Sequence, residues 1–89
     1  MDDELIRALS FTKASRYRRK VLESLDSAIL TPSEIAKNID TRLNHVSMYL
    51  KELKDEGLVV CLNEEAKKGR LYRLTALGEQ VYGIVKRDI

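Results

Sequence analysis

At 89 residues the chain is long enough for one folded domain with a single core and too short for two. Its composition, 44% apolar and 34% charged residues, excludes intrinsic disorder, and no apolar run is long enough to span a membrane. The acidic start at residues 2–4 is not that of a signal peptide, and the single cysteine, Cys61, excludes an internal disulfide. We therefore expect a cytoplasmic protein.

The net charge of +2 is modest, but the cations are clustered. Residues 16–20 hold four cations and no anion, and a second cluster consists of Lys67, Lys68, Arg70 and Arg73. Either cluster alone is explained by an ordinary solvated surface. Two clusters that flank a pair of closely spaced helices favour a footprint for nucleic-acid phosphates.

The first predicted element is a short helix over residues 2–11, with Asp2 or Asp3 as its N-cap. Three apolar residues at helical spacing form its stripe: Leu5, Ile6 and Leu9. Residues 11–14 are interpreted as a connection, with a continuous kinked helix as the alternative.

A second helix is predicted from the N-cap Ser15 to about Leu25. Four residues at helical spacing form its buried face: Tyr17, Val21, Leu22 and Leu25. Cations crowd its first turns, where the helix dipole favours anions by about 0.3–1 kcal/mol per charge. This mismatch indicates that three arginines face a polyanion: Arg16, Arg18 and Arg19. In the alternative interpretation, Glu23 partly neutralises them from the next turn.

The clearest local signal follows a short strand or extended segment at residues 28–30. Thr31 is predicted to cap a helix, Pro32 suits its first position, and Glu34 closes a capping box. Three residues of this helix are expected to point inward: Ile35, Ala36 and Ile39. Ser33, at the same helix start, is a candidate donor to a backbone phosphate.

The next helix is predicted to begin at a cap formed by Asp40 or Thr41 and to continue to Glu56, with Gly57 ending it. Four residues at spacings of three and four form one buried stripe: Leu43, Val46, Leu50 and Leu53. The opposite face then presents polar side chains and one methionine: Arg42, Asn44, His45, Ser47, Met48 and Lys51. A helix that follows a short turn in this way leaves its outer face free for a DNA major groove.

Two strand-like segments follow at residues 58–62 and 70–74, joined by a polar loop in which Gly69 eases the turn. Tyr72 and Leu74 are expected to share the inner face. Thr75 is predicted to cap a last helix with four apolar residues in its stripe: Leu77, Val81, Ile84 and Val85.

These elements predict an α+β, mainly α fold: a winged helix-turn-helix with a two- or three-stranded antiparallel wing sheet. We expect one domain over residues 1–89. It divides into an N-terminal helix or extension at 1–14, a DNA-binding core at 15–74 and a C-terminal helix at 75–89.

Each exposed residue of the recognition-helix candidate has a plausible base contact. Arg42 would pair with guanine and Asn44 with adenine, Ser47 is adaptable, and Met48 would contact a thymine methyl. His45 is the only histidine, so a base or phosphate contact is preferred over a metal site. At the wing, three cations are candidates for phosphate or minor-groove contacts: Lys67, Lys68 and Arg70.

The sequence shows neither a catalytic motif nor a cofactor loop, so we predict no enzyme activity, no cofactor and no metal site. Cys61 lies in an apolar strand and is interpreted as a buried thiol. No small-molecule substrate is indicated.

Two motifs carry a family resemblance. They are Val46-Ser47-x-x-Leu50-x-x-Leu53-x-x-x-Gly57-Leu58-Val59 and Leu74-Thr75-Ala76-Leu77-Gly78. Through them the chain from about Ser15 to Lys86 resembles winged-helix transcriptional regulators of the ArsR and MarR type, especially small archaeal members. The resemblance implies that the first motif is the recognition helix entering the wing and the second is the cap of the last helix. Metal-sensing ArsR members use paired cysteines near that helix, and here there are none, so arsenic or zinc sensing is not expected.

The leading hypothesis is a sequence-specific regulator that binds double-stranded DNA as a homodimer. Dimerisation is inferred from the apolar stripes of the two terminal helices, which alternatively pack within one chain. The competing hypothesis is a winged helix that docks onto a protein partner in a nucleic-acid machine without reading sequence. An RNA-binding variant is a third possibility.

Overall fold

A computed structural model of the chain describes residues 2–88, so Met1 and Ile89, the two ends of the predicted domain, lie outside the described residues. The elements follow in the predicted order. They are α1 (Asp3–Lys13), α2 (Arg16–Ser24), α3 (Pro32–Asn38), α4 (Leu43–Asp55), β1 (Val59–Cys61), β2 (Tyr72–Leu74) and α5 (Ala76–Val85), with a final 3₁₀ turn at Lys86–Asp88. Within this part of the chain no helix has the length and apolarity needed to cross a membrane.

Most helix starts are where the local sequence signals place them. The Asp2 carboxylate accepts a hydrogen bond from the Leu5 amide at 2.7 Å, and Ser15 caps α2. At α3 both halves of the predicted capping box form: Glu34 N–H donates to the Thr31 hydroxyl, and Thr31 N–H donates to the Glu34 carboxylate. These caps satisfy amides that the helices themselves leave unpaired.

The predicted cap of α4 is wrong. Its N-cap is Arg42, which makes no side-chain capping bond, and the helix begins at Leu43, one or two residues later than expected. Asp40 instead adopts a left-handed backbone conformation with φ 52°, and the Thr41 amide donates to the Ala36 carbonyl. Asp40 and Thr41 are therefore used in the turn that reverses the chain between α3 and α4.

The first helix is longer than predicted, because residues 11–13 continue it rather than connect it to α2. Thr12 is fully buried, and its hydroxyl donates to the Ala8 carbonyl at 2.9 Å, which satisfies a polar group inside the core. The buried face of α1 is accordingly Ala8 and Thr12, whereas Ile6 is 47% exposed.

The wing is a narrow antiparallel sheet with β2 at its centre. Val59 pairs with Leu74 and Cys61 with Tyr72, and on the other side of β2 Leu30 forms a two-bond bridge to Tyr72. The extended segment at 28–30 thus supplies a one-residue third strand. Tyr72 and Leu74 face the core, as expected, and Cys61 is buried, as expected.

The core lies between the helices and the inner face of this sheet. Its fully buried apolar side chains come from α2, α3, α4, the start of the wing and α5: Val21, Leu22, Leu25, Ile35, Val46, Leu50, Leu53, Leu58, Val81 and Val85. Two residues predicted to be buried are not: Leu43 is 49% exposed and Tyr17 is 41% exposed. Leu43 is the first residue of α4, one turn before the buried Val46, while Tyr17 stacks on Tyr49 of α4.

Thr75 caps the start of α5 and holds it, through two hydrogen bonds, against the residues just before β1. The Thr75 hydroxyl accepts from the Gly78 amide and donates to the Gly57 carbonyl at 2.6 Å, and the Thr75 amide donates to the Leu58 carbonyl. A Cβ on Gly78 would overlap that Leu58 carbonyl oxygen, whereas a Cβ on Gly83 in the same helix would meet nothing within 4 Å.

This difference gives a matched pair of variants. Gly78→Ala is expected to lower the free energy of unfolding by about 2–3 kcal/mol, because the added methyl group must displace backbone. Gly83→Ala is expected to raise it by about 0.5–1 kcal/mol, because alanine replaces glycine in a helix without a clash. Urea denaturation followed by circular dichroism measures both, and equal stabilities would contradict the packing described.

Candidate nucleic-acid interface

The outward face of α4 is formed by the residues that do not belong to its buried apolar stripe. Val46, Leu50 and Leu53 are buried on one side, and all six predicted recognition residues are exposed: Arg42, Asn44, His45, Ser47, Met48 and Lys51. Lys51 lies within 3.6 Å of the Asp55 carboxylate one turn further along the helix. The face therefore offers a guanidinium, an amide, an imidazole and a hydroxyl to an external partner.

The loop between the strands is ordered by Asn63. Its side-chain oxygen accepts from the Leu71 amide at 2.7 Å, and its side-chain nitrogen donates to the Gly69 carbonyl at 3.2 Å. Gly69 itself has φ 67°, a left-handed conformation that favours glycine. The Cys61 thiol also lies against the Asn63 oxygen, at 3.7 Å. Asn63 was not among the predicted functional residues, because a single asparagine in a loop does not indicate which backbone groups its side chain will bond.

Arg70 is committed to the same loop. Its guanidinium donates to the Ala66 carbonyl at 2.8 Å and to the Glu64 carbonyl at 3.1 Å. Lys67 and Lys68, in contrast, are exposed and make no hydrogen bond or ion pair with any described residue. Of the three predicted wing cations, one therefore shapes the loop and the other two are exposed and unpaired within the described part of the chain.

An ion pair joins the wing to α4. The Lys54 ammonium on α4 donates to the Glu64 carboxylate in the loop. This hydrogen bond holds the pKa of the Glu64 carboxyl below its ordinary value and raises the pKa of Lys54. Because both side chains are solvent-exposed, the pair fixes geometry more than it adds stability.

The arginines of α2 have different surroundings. Arg18 is half-buried: it donates to the Phe11 carbonyl at 2.8 Å, covers the Phe11 ring at 3.7 Å and pairs with Glu52 on α4 at 3.4 Å. Arg18 therefore links α1, α2 and α4 rather than pointing into solvent. Arg16 is exposed and Arg19 is half-buried.

A stacked tyrosine pair borders the recognition face on the α2 side. The rings of Tyr17 and Tyr49 are 5.6 Å apart and nearly parallel, and Tyr17 lines a shallow depression together with Arg42 and His45. The helical spacing of Tyr17 predicted a core position, and only the packing of α2 beside α4 reveals the stack.

A groove of about 830 Å³ runs between α4, the start of α3 and the wing. Its charged lining among the described residues consists of five cations and one carboxylate: Lys51, Lys54, Lys67, Lys68, Arg70 and Asp55. Even when Glu64, the partner of Lys54, is included, the balance is +3, whereas the whole chain carries +2. Ser33 lies in the same groove. Positive charge is thus concentrated on this side of the molecule.

Over residues 2–88 the structure contains no group of three or more histidine, cysteine or acidic side chains placed to hold a metal ion.

The ion pair between α4 and the wing is testable by titration. Lys54→Met is expected to raise the pKa of Glu64 toward its ordinary value of 4.5, because the donating ammonium is lost. In the parent protein the contribution of the pair to stability is present above the unfolded pKa of Glu64 and is lost as the pH falls through the lowered folded value. The measurement is an NMR pH titration of the Glu64 carboxyl carbon. Lys51→Met is the control, and a Glu64 midpoint equally insensitive to both changes would contradict the contact.

Several solved structures share this architecture. MarR from E. coli in its reduced form is 31% identical, with a TM-score of 0.75, over 97% of this chain and 65% of that one. A MarR family transcription regulator is 22% identical, with a TM-score of 0.78, over 94% and 57%. TubR from Bacillus thuringiensis serovar israelensis, solved bound to 24 bp of tubC, is 13% identical, with a TM-score of 0.80, over 96% and 95%.

The chain spans less than two thirds of the length of these MarR structures, 57% to 65%. A comparison with curated proteins gives no match. The family model described as winged helix-turn-helix matches residues 18–87, from α2 to the turn after α5. The order of elements, the wing and this match agree, and the chain belongs to the winged helix-turn-helix family with the fold of MarR-type regulators.

Proposed function

We propose that this protein is a sequence-specific regulator that binds double-stranded DNA, with α4 in the major groove and the wing on the backbone or in the minor groove. The observation that carries the proposal is the position of the positive charge. Five cations line the groove between α4 and the wing, in a chain whose total net charge is only +2. A cationic groove beside an exposed helix of 13 residues suits a phosphate backbone flanking a major groove.

Base reading is assigned to the exposed face of α4. Arg42 presents the fork that pairs with guanine, and Asn44 presents the amide that pairs with adenine. His45 and Ser47 supply further hydrogen-bonding groups on the flanks of the same face, Met48 contacts a thymine methyl, and Lys51 approaches the backbone. Residues 42–48 lie at the N-cap or within the first two turns of α4, the end whose residues contact base edges in helix-turn-helix proteins.

Backbone contacts are assigned to the cations that are not engaged within the molecule. Lys67 and Lys68 at the wing and the exposed Arg16 are free to reach phosphates, and Ser33 lies at the groove wall. Arg19, which is half-buried on α2, is assigned a further contact with the DNA backbone. Arg18 and Arg70 act through their intramolecular bonds and position the helices and the loop.

The proposal includes a homodimer on a roughly palindromic site. Two copies would place their α4 helices on one face of DNA about 34–36 Å apart, one helical turn. Val81 and Val85 are buried within one chain, whereas Ile6 on α1 is exposed and would be available to a second copy. TubR, which shares this fold, was solved bound to 24 bp of tubC, and this supports duplex DNA as the partner.

The deciding experiment is a salt titration of binding to duplex DNA from the region upstream of the protein's own gene, compared with random duplex. Preferential binding of the upstream DNA at every salt concentration supports the proposal. A ratio near one, with affinity insensitive to salt, would favour a protein-docking module instead.

The wing lysines are expected to supply affinity without specificity. Lys67→Gln and Lys68→Gln should each weaken binding to upstream and random DNA alike and flatten the salt dependence of log K by about 1. Lys86→Gln, a matched charge removal after α5, should leave the slope unchanged. Fluorescence anisotropy at four or more salt concentrations measures this, and a loss confined to upstream DNA would contradict the wing's role.

The recognition-face residues are expected to behave in the opposite way. Ser47→Ala and His45→Ala should each lower the upstream-to-random affinity ratio about fivefold, which corresponds to about 1 kcal/mol, the value of one hydrogen bond. The salt dependence of log K should stay unchanged. Ser10→Ala on the exposed side of α1 is the control. Competition binding with both duplexes reports the ratio, and an unaltered ratio in both variants would show that this face does not read bases.

A further inference from the structure

Leu43 is an exposed apolar side chain in a groove whose other lining residues are mostly polar or charged. It continues the spacing of Val46, Leu50 and Leu53, so burial in the core would be the ordinary outcome, yet 49% of it is exposed. Its exposed part lies in the groove, where Pro32, Ser33 and Ser47 are also in the lining. Leu43 therefore meets whatever occupies this groove.

The chemistry of Leu43 limits what it can recognise. The side chain neither donates nor accepts a hydrogen bond, so it adds nothing to the cations that attract phosphate. The apolar group that a DNA major groove presents to a protein is the C5 methyl of thymine. Leu43 is the first residue of α4, and residues at this end of a recognition helix are those that approach base edges.

We propose that Leu43 is a specificity-determining residue that contacts a thymine methyl group, a proposal that rests on the DNA-binding function above. Ser47, one helical turn further along the same flank of α4, supplies a hydrogen-bonding group beside this apolar contact. The preferred DNA site then contains a thymine that is distinguished from cytosine and also from uracil, from which it differs by the methyl group alone.

The experiment uses the 89-residue chain and a duplex selected from a random library by the protein itself. Each thymine of the selected site is replaced singly by deoxyuridine, and dissociation constants are measured for the parent protein and for Leu43→Ala. Replacing the thymine that Leu43 contacts is expected to weaken parent binding about fourfold, the factor for one buried methyl group. Leu43→Ala should bind the thymine duplex about fourfold more weakly than the parent protein does. Replacing that thymine by deoxyuridine should not weaken the binding of this variant further.

Leu62→Ala is the control, because Leu62 is also exposed, at 44%, but lies at the wing outside the groove lining. It should keep the full thymine preference. A loss for Leu43→Ala that is equal on every duplex would mean a contact with the sugar–phosphate backbone and would overturn the proposal. Insensitivity of the parent protein to all deoxyuridine replacements would overturn it too. Failure of the selection to yield any preferred sequence would overturn the DNA-reading function itself, which distinguishes the two failures.

Discussion

The rotation of α4 about its own axis is the constraint on which the rest of the structure depends. Val46, Leu50 and Leu53 are almost completely buried, and burying each of them contributes about 1.5–3 kcal/mol. Turning the helix by one residue position would expose this stripe and bury Ser47 in one direction or His45 in the other, without partners. The stripe therefore decides which side chains face outward, and the candidate DNA-reading surface is a by-product of core packing.

The wing is placed relative to that helix by polar contacts. Asn63 and Arg70 bond the loop to itself, and the pair of Lys54 and Glu64 joins the loop to α4. Lys67 and Lys68 are presented at the end of a loop whose backbone is already ordered. A binding surface that is formed before the partner arrives avoids part of the entropy cost of ordering it.

The sequence predicts those features of the fold and of the candidate site that depend on interactions between residues close together in the chain. The capping box of Thr31 and Glu34 and the apolar periods of α2, α4 and α5 are local, so the order of elements and the outward face of α4 followed from the sequence. Asp40 was misassigned because one residue type serves both caps and left-handed turns. The positions of Leu43 and Tyr17, and the internal partners of Arg18 and Arg70, depend on neighbouring elements that periodicity along one helix does not reveal.

The measurement that tests the account most directly is an NMR titration of the isotopically labelled protein with a duplex that it selects from a random library. The account predicts that amide shifts concentrate at residues 42–51 of α4 and at the wing loop around Lys67 and Lys68. It also predicts that the amide shifts of α5 and of the outer side of α1 change only where a second copy of the chain contacts them. Shifts confined to α1 and α5, with an unperturbed α4, would contradict the assignment of this helix as the DNA-reading element.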